Sequence, residues 1–362
     1  MRNLWTFIAT GILIAVTAGC QSGTEPTGTD AVPTAAAPAG EPCDRACLEG
    51  FVDQYLDAMI AHDPGQVPLT DDFRLTENGQ RLEAGDALWK TMTGKGNYRL
   101  FVTDEEAGQV AFIGTIFEQA NNNPEGSGSA LALRLKIENQ QIAEAELLNV
   151  RSGTGAFGNA ADNLEELGAP PPVFLTPIPE DERMSRDELI RVSNMYFSGM
   201  EKNDGLGEYP FTDDCTRIEN GGLSTNQPTP QGQTRPDPAT ATGYSGQWSC
   251  TEQFESGLIH FVWRIRDRRY VAVDPEYGLV YSFAFFDHAL GEDRTFEAPG
   301  GRVVTGGPID PWTWEIAEMF RVENGLIRQI EALLIRSPYG MDSGWSSWED
   351  AMSSEIQDVT GL

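Results

Sequence analysis

Pro210-Phe211-Thr212-Asp213-Asp214, followed by Glu219-Asn220-Gly221, restates Pro68-Leu69-Thr70-Asp71-Asp72 followed by Glu77-Asn78-Gly79. Upstream of these stretches, Tyr55-Leu56-Asp57-Ala58-Met59 returns as Tyr196-Phe197-Ser198-Gly199-Met200. Downstream, Thr103-Asp104 with Gly108-Gln109-Val110 returns as Val273-Asp274 with Gly278-Leu279-Val280. Lys136-Ile137-Glu138-Asn139 with Glu146 likewise returns as Arg321-Val322-Glu323-Asn324 with Glu331. Solenoid repeats run only ~20–50 residues, so a period this long is a whole domain. The chain is two copies of one fold.

Each copy opens with an amphipathic helix. Leu48, Phe51, Val52, Tyr55, Leu56 and Met59 form one apolar stripe at helical spacing, and Leu189, Val192, Tyr196, Phe197 and Met200 repeat it. Ser185 and Glu188 make a capping box for the second helix. The remainder of each copy is rich in aromatic and β-branched residues and reads as strand, with Asn324-Gly325 and Asn139-Gln140 at the hairpin turns. The fold class expected is α+β, in two tandem domains, each an N-terminal helix on a curved antiparallel sheet. The boundaries expected are a first domain over 43–151, a linker over 152–184, a second domain over 185–341 and a tail over 342–362.

This order of a helix with a Tyr-bearing stripe, an Asp-Asp segment, a strand ending in Glu-Asn-Gly and long paired strands resembles the nuclear transport factor 2-like fold. SnoaL-like cyclases and ketosteroid-isomerase-like enzymes share it. From Asp44 to Trp345 the chain also resembles an uncharacterised family of exported tandem-domain proteins of fungi and bacteria. Arg217-Ile218-Glu219-Asn220-Gly221, Arg266-Asp267-Arg268-Arg269, Phe285-Phe286-Asp287-His288, Ile330-Glu331-Ala332 and Pro338-Tyr339-Gly340-Met341 carry that resemblance. It implies a cone-shaped apolar pocket between helix and sheet, but no particular activity, because such a fold hosts enzymes and binding modules alike.

Acidic residues outnumber basic ones 55 to 25, a balance that repels nucleic acid and anionic headgroups, so no nucleic-acid partner is expected. Arg2 and the apolar run Leu4 to Val16 have the form of a signal peptide over 1–20. Its end, Thr17-Ala18-Gly19-Cys20, resembles a bacterial lipobox, with an ordinary secretory signal as the other reading. The resemblance implies lipidation of Cys20, a membrane partner through that anchor and a place in the bacterial cell envelope. Gln21 points to the outer membrane, facing the periplasm. Residues 21–42 are Thr, Pro, Ala, Gly and Glu with little of apolar bulk, the composition of a flexible tether. Setting Cys20 aside leaves Cys43, Cys47, Cys215 and Cys250. Disulfides Cys43–Cys47 and Cys215–Cys250 are expected, because the first two are near neighbours and the second two share a domain; free buried thiols are the alternative for the first pair. With three histidines in the chain, no metal site and no cofactor are expected.

Polar residues that interrupt apolar strand rows are the candidates for chemistry, since an unpaired buried charge costs several kcal/mol. Tyr281, Phe283 and Phe285 end in Asp287, whereas Val280, Ser282, Ala284 and Phe286 end in His288, so one of the two faces the pocket. Glu318 stands where the first copy keeps Leu133, either as a titratable group or as half of a salt bridge. His260, Arg264, Arg266 and Arg268 are expected on one strand face that could hold an anion, with Tyr281 and Phe283 as further ligand contacts. Glu146 and Glu331 occur in both copies and read as architecture. An insertion peculiar to the second copy, mainly Ser224 to Cys250, reads as an ordered lid.

No nucleophile motif or phosphate loop occurs in either copy. The leading expectation is a small-molecule binding module working through its second domain. The alternative is a cofactor-free lyase or isomerase using Asp287, His288 and Glu318. A third reading packs the two sheets together around filled pockets.

Overall fold

The computed structural model of the protein describes residues 43–120, 123–153, 158–290, 294–306, 309–357 and 359. Residues 1–42, with Cys20, the signal peptide expected over 1–20 and the tether expected over 21–42, lie outside them. The first copy runs α1 (Arg45–Ile60), β1 (Leu69–Glu77), β2 (Gln80–Leu82), α2 (Leu88–Thr91), β3 (Met92–Asp104), β4 (Gln109–Ala120), β5 (Asn123–Glu138) and β6 (Gln141–Arg151). After α3 (Ala160–Leu167) come α4 (Arg186–Lys202), β7 (Phe211–Glu219), β8 (Gly222–Leu223), α5 (Cys250–Glu255), β9 (Arg264–Asp274) and β10 (Leu279–Leu290). A hairpin of β11 (Arg294–Ala298) and β12 (Arg302–Gly306) precedes β13 (Ile309–Glu323) and β14 (Leu326–Pro338). The chain closes with α6 (Trp348–Ala351) and β15 (Ile356–Gln357). The fold is mixed α+β, and no helix among the described residues is long and apolar enough to cross a membrane.

The repeat is visible in the topology. One sheet has the order β2-β1-β6-β5-β4-β3, and the other has β8-β7-β14-β13-β10-β9 with β15 added at its edge. Each sheet is mixed rather than antiparallel throughout, because β1 runs parallel to β6 and β7 parallel to β14. A hairpin leaves a turn signal in the sequence, whereas a parallel pair joins strands distant in the chain and leaves none. The Glu-Asn-Gly turns anchor this parallel pair in the same way twice. Asn78, at φ +48°, exchanges side-chain hydrogen bonds with the backbone of Asn149, and Asn220, at φ +49°, does so with Leu334. Gly79 and Gly221 follow at φ +70° and +73°, where only glycine is unstrained.

One face of each sheet receives its long helix. Leu48, Val52, Tyr55, Leu56 and Met59 of α1 pack on Phe112, Leu133 and Leu135, while Leu189, Val192, Tyr196 and Phe197 of α4 pack on Val280, Ala284, Phe286 and Phe320. Ser185 and Glu188 form the expected capping box at α4. The other faces meet each other: Tyr98, Leu100, Ala111, Ile113 and Leu148 of the first sheet share a core with Val271, Tyr281, Phe283, Met319 and Leu333 of the second. The sheets are therefore buried on both sides, which explains why their strands read as apolar runs instead of alternating.

Reciprocal contacts lock this pairing. Arg45, at the start of α1, reaches Asp274 at 2.8 Å, and its counterpart Arg186, at the start of α4, reaches Asp104 at 2.5 Å. Tyr98 donates to Glu331 at 2.6 Å, and Arg269 holds Glu146 with two bonds of 2.7 and 2.8 Å. Each shared glutamate thus faces the opposite domain, in an arrangement that resembles an isologous dimer interface. The segments beyond each sheet complete it. Asn163 of α3 donates to the carbonyl of Asn220, and Trp345 of the tail donates its indole N–H to Thr76 at 2.9 Å. Leu164 and Phe174, from the stretch between the two sheets' domains, and Val359 near the end of the chain are consequently part of this shared core.

Candidate functional site

Between α4 and the sheet face it covers the second domain contains a cavity of about 150 Å³. Its apolar wall is Met200, Ile259, Phe261, Phe286 and Trp314, and its polar wall is Arg217, Glu219, Ser224, Gln227 and Tyr244. A dry apolar cavity of about this volume accommodates benzene. The insertion supplies much of the wall, and the disulfide Cys215–Cys250, across a separation of 35 residues, ties it to β7. Closing a loop of that length contributes about 3–4 kcal/mol. Trp248, fully buried, and Leu258 pack under the β11–β12 hairpin through Ala298 and Val304 and hold the insertion in place. Cys43 and Cys47 form the other disulfide.

Arg217 is the centre of the polar wall. Its guanidinium donates to Ser224 Oγ at 3.0 Å, Tyr196 Oη at 3.2 Å, Tyr244 Oη at 2.6 Å and Gln253 Oε1 at 2.8 Å. Burial alone would lower its pKa, but Tyr196, Tyr244, Glu219 and Glu318 around it raise it, and it stays charged. The equivalent residue of the first copy is Leu75. Glu318, opposite Ser282 in the pairing of β10 and β13, replaces Leu133, opposite Phe112. The second copy has therefore exchanged a set of three inward apolar residues, Leu75, Phe112 and Leu133, for Arg217, Ser282 and Glu318. Neither carboxyl oxygen of Glu318 meets a hydrogen-bond partner. Burial, then the neighbouring Glu219, pushes it up to about 8 against the pull of Arg217 and the Tyr196 hydroxyl, which favours its protonated form.

Asp287, His288 and Glu318 do not converge. His288 is on the helix side of the sheet, where its Nδ1–H donates to the carbonyl of Phe286 at 2.9 Å. Its ring stacks on Trp312 at 3.8 Å and meets Trp314 edge-on at 4.5 Å, and its Nε2 is buried without a partner. Burial lowers its pKa to about 4, more than the carbonyl and Asp287 raise it. Glu318 shares that side but lies opposite Ser282, six positions along β10, roughly 20 Å away at strand rise. Asp287 points to the other side, where Arg264 at 2.6 Å, Arg266 at 2.9 Å and Thr313 at 2.7 Å hold it. Burial would raise its pKa, but these three partners bring it below the usual carboxylate range.

The expected basic face is also divided. His260 precedes β9 and lies beside Phe296 at 5.2 Å. Arg264 and Arg266 are spent on Asp287, and Arg266 further ties down the carbonyls of Met341, just before the tail, and Ala351 within it. Arg268 turns to α4, bonding Glu201, Asn194 and Ser198. Register shifts between β9 and β10 break the alternation that a regular strand would impose. Tyr281 and Phe283 belong to the core between the sheets and do not line the cavity. Of the cavity's lining, Arg217, Glu219 and Tyr244 are not among the ligand contacts expected from the sequence; the exchange of Leu75 for Arg217 is a signal of the same kind as that of Leu133 for Glu318. Among the described residues no group of three His, Cys, Asp or Glu is placed to hold a metal ion.

A family model described as "Domain of unknown function (DUF8021)" matches residues 41–148 and 182–334. No curated protein matches the chain. Among solved structures, one titled "Crystal structure of a de novo designed protein with curved beta-sheet" is similar at 18% identity, covering 42% of this chain and 88% of that one, with a TM-score of 0.23. The two matched regions span both repeats and more than half of the sequence, and the chain belongs to the DUF8021 family of domains of unknown function.

Proposed function

We propose that the protein binds a compact small molecule in the cavity of its second domain, and that both domains are nuclear transport factor 2-like. The cavity carries this reading: about 150 Å³ with aromatic walls and a clustered polar edge, closed by an insertion that only the second copy possesses. The long helix packed on one face of each sheet supports the fold assignment. A joint acid–base role for Asp287, His288 and Glu318 lacks comparable support, because the three occupy separate surroundings. The proposal includes export and lipid anchoring at Cys20, with the protein on the periplasmic side of the outer membrane of a bacterial envelope. The lipobox-like Thr17-Ala18-Gly19-Cys20 and the two disulfides support it.

Native mass spectrometry of the full chain should detect one compound per molecule, of roughly six to ten heavy atoms, as the volume dictates. Ile259→Trp, which fills the cavity, should lose it while the chain stays folded by circular dichroism. A folded Ile259→Trp chain that still carries the compound would place binding elsewhere. Cys20→Ser should shift the protein from the membrane to the soluble fraction, and an unchanged distribution would remove the anchor from the proposal.

A further inference from the structure

The first domain seals the place where the second is hollow. In the first, Glu77 accepts from the backbone N–H of Leu88 at 2.9 Å and from Arg151 at 2.8 Å. Arg151 also binds Glu118, which Asn149 and Thr91 further satisfy. In the second, the counterparts of Glu77, Arg151 and Glu118 are Glu219, Arg336 and His288. Arg336 lies over Trp312 at 4.8 Å, and α5 follows the insertion where the first copy has α2, its Gln253 N–H donating to the Ser249 carbonyl at 3.0 Å rather than to a glutamate. Glu219 therefore lines the cavity with its carboxylate short of any hydrogen bond among the described residues; the nearest cation, Arg217 Nε, is 3.6 Å away. Beside it, Tyr244 accepts from Arg217, which leaves its own O–H to give.

We propose that the cavity recognises a flat, neutral ring carrying a hydrogen-bond donor beside a carbonyl, the edge of a cyclic amide. Glu219 takes the N–H, Tyr244 gives its O–H to the carbonyl, and Phe261, Phe286 and Trp314 cover the ring faces. The volume admits one six-membered ring with small substituents. Arg217 already balances the charge of Glu219, so no cation is left over for an anionic ligand, and a purely apolar one would offer the Glu219 carboxylate no hydrogen bond. This inference rests on the cavity being a binding site.

Calorimetric titration of the full chain with 2-pyridone, benzene and benzoate tests it. A charged hydrogen bond is worth about 1.5–3 kcal/mol, so 2-pyridone should bind at least about tenfold more tightly than benzene, and benzoate more weakly than either. Glu219→Leu should abolish the preference for 2-pyridone while benzene still binds. If that variant loses both probes, Tyr244→Phe, which removes only a hydroxyl, provides the same comparison. Equal affinities for 2-pyridone and benzene, or a preference that survives either folded variant, would overturn the edge recognition and leave cavity binding intact. Failure of both probes on the unaltered chain would overturn the binding reading itself.

Discussion

The two domains share strand order, turn chemistry and helix placement, yet differ at corresponding interior positions. In the first domain Leu75, Phe112 and Leu133 fill the space under α1, Trp89 packs edge-on against Tyr55 at 5.0 Å, and Glu77, Glu118 and Arg151 close the open end as an ionic cluster. In the second domain Arg217, Ser282 and Glu318 occupy the same rows, Phe254 packs on Tyr196 at 5.2 Å, and the open end is lined by aromatic side chains. An apolar row is self-sufficient, whereas a buried arginine and acid need a complete set of partners. Arg217 has one and Glu318 does not. Of two copies of one fold, one thus keeps a packed apolar interior and the other carries buried charge, which costs stability unless every group is partnered.

The largest effect should come from Arg217→Leu, which restores the first copy's residue but strips Tyr196, Tyr244 and Gln253 of a shared donor. A loss of about 3–5 kcal/mol is expected by denaturant unfolding. Arg217→Leu with Glu318→Leu should recover much of that loss, because the row then matches Leu75 and Leu133. If the double variant were no more stable than the single one, the two positions would not be coupled.

A pH series sharpens the same comparison. Glu318 has its pKa raised in the folded state to about 8 from 4.5, so folding holds a proton that the unfolded chain releases. Its contribution is complete below about pH 4.5, falls as pH rises and is gone once the folded pKa is passed, with a slope of at most about 1.4 kcal/mol per pH unit. Glu315, raised to about 8, and Glu331, raised to about 7, act with the same sign between the sheets. Stability should therefore decline between pH 5 and 8, and Glu318→Leu should decline less steeply. Identical slopes for the two chains would mean that Glu318 is ionised in the folded protein. Arg151→Ala in the first domain should have the smallest effect, about 1–2 kcal/mol, because its guanidinium is partly exposed and screened. It should leave binding in the second domain untouched.

The repeat made the domain count, the helices and the hairpins legible, because Tyr55 and Tyr196, Asn78 and Asn220, and the long strand pairs carry local signals twice. Glu146 and Glu331 were legible as architecture for the same reason, although only the structure shows that they face across the domain boundary. The parallel pairs β1–β6 and β7–β14 and the meeting of the two sheets were not legible, since both depend on contacts between distant segments. At the site, Glu318 stood out against Leu133. Arg217 against Leu75 carries an equal signal, but it stands beside the repeated Glu-Asn-Gly turn, whose local chemistry is the same in both copies. Asp287 and the basic strand show what the sequence leaves unsaid about partners: Arg264 and Arg266 are matched to Asp287, and Arg268 to Glu201, within the protein.

Methionine methyl groups report on both interiors at once. Met200 lines the second domain's cavity, whereas Met59 and Met92 are buried in the filled core of the first. In the full chain labelled at its methionine methyls, titration with benzene followed by nuclear magnetic resonance should move the Met200 resonance and leave those of Met59 and Met92 in place. Shifts at all three would mean the two domains are equally hollow, and an unmoved Met200 at saturating benzene would mean that the second domain does not hold a small molecule in this cavity.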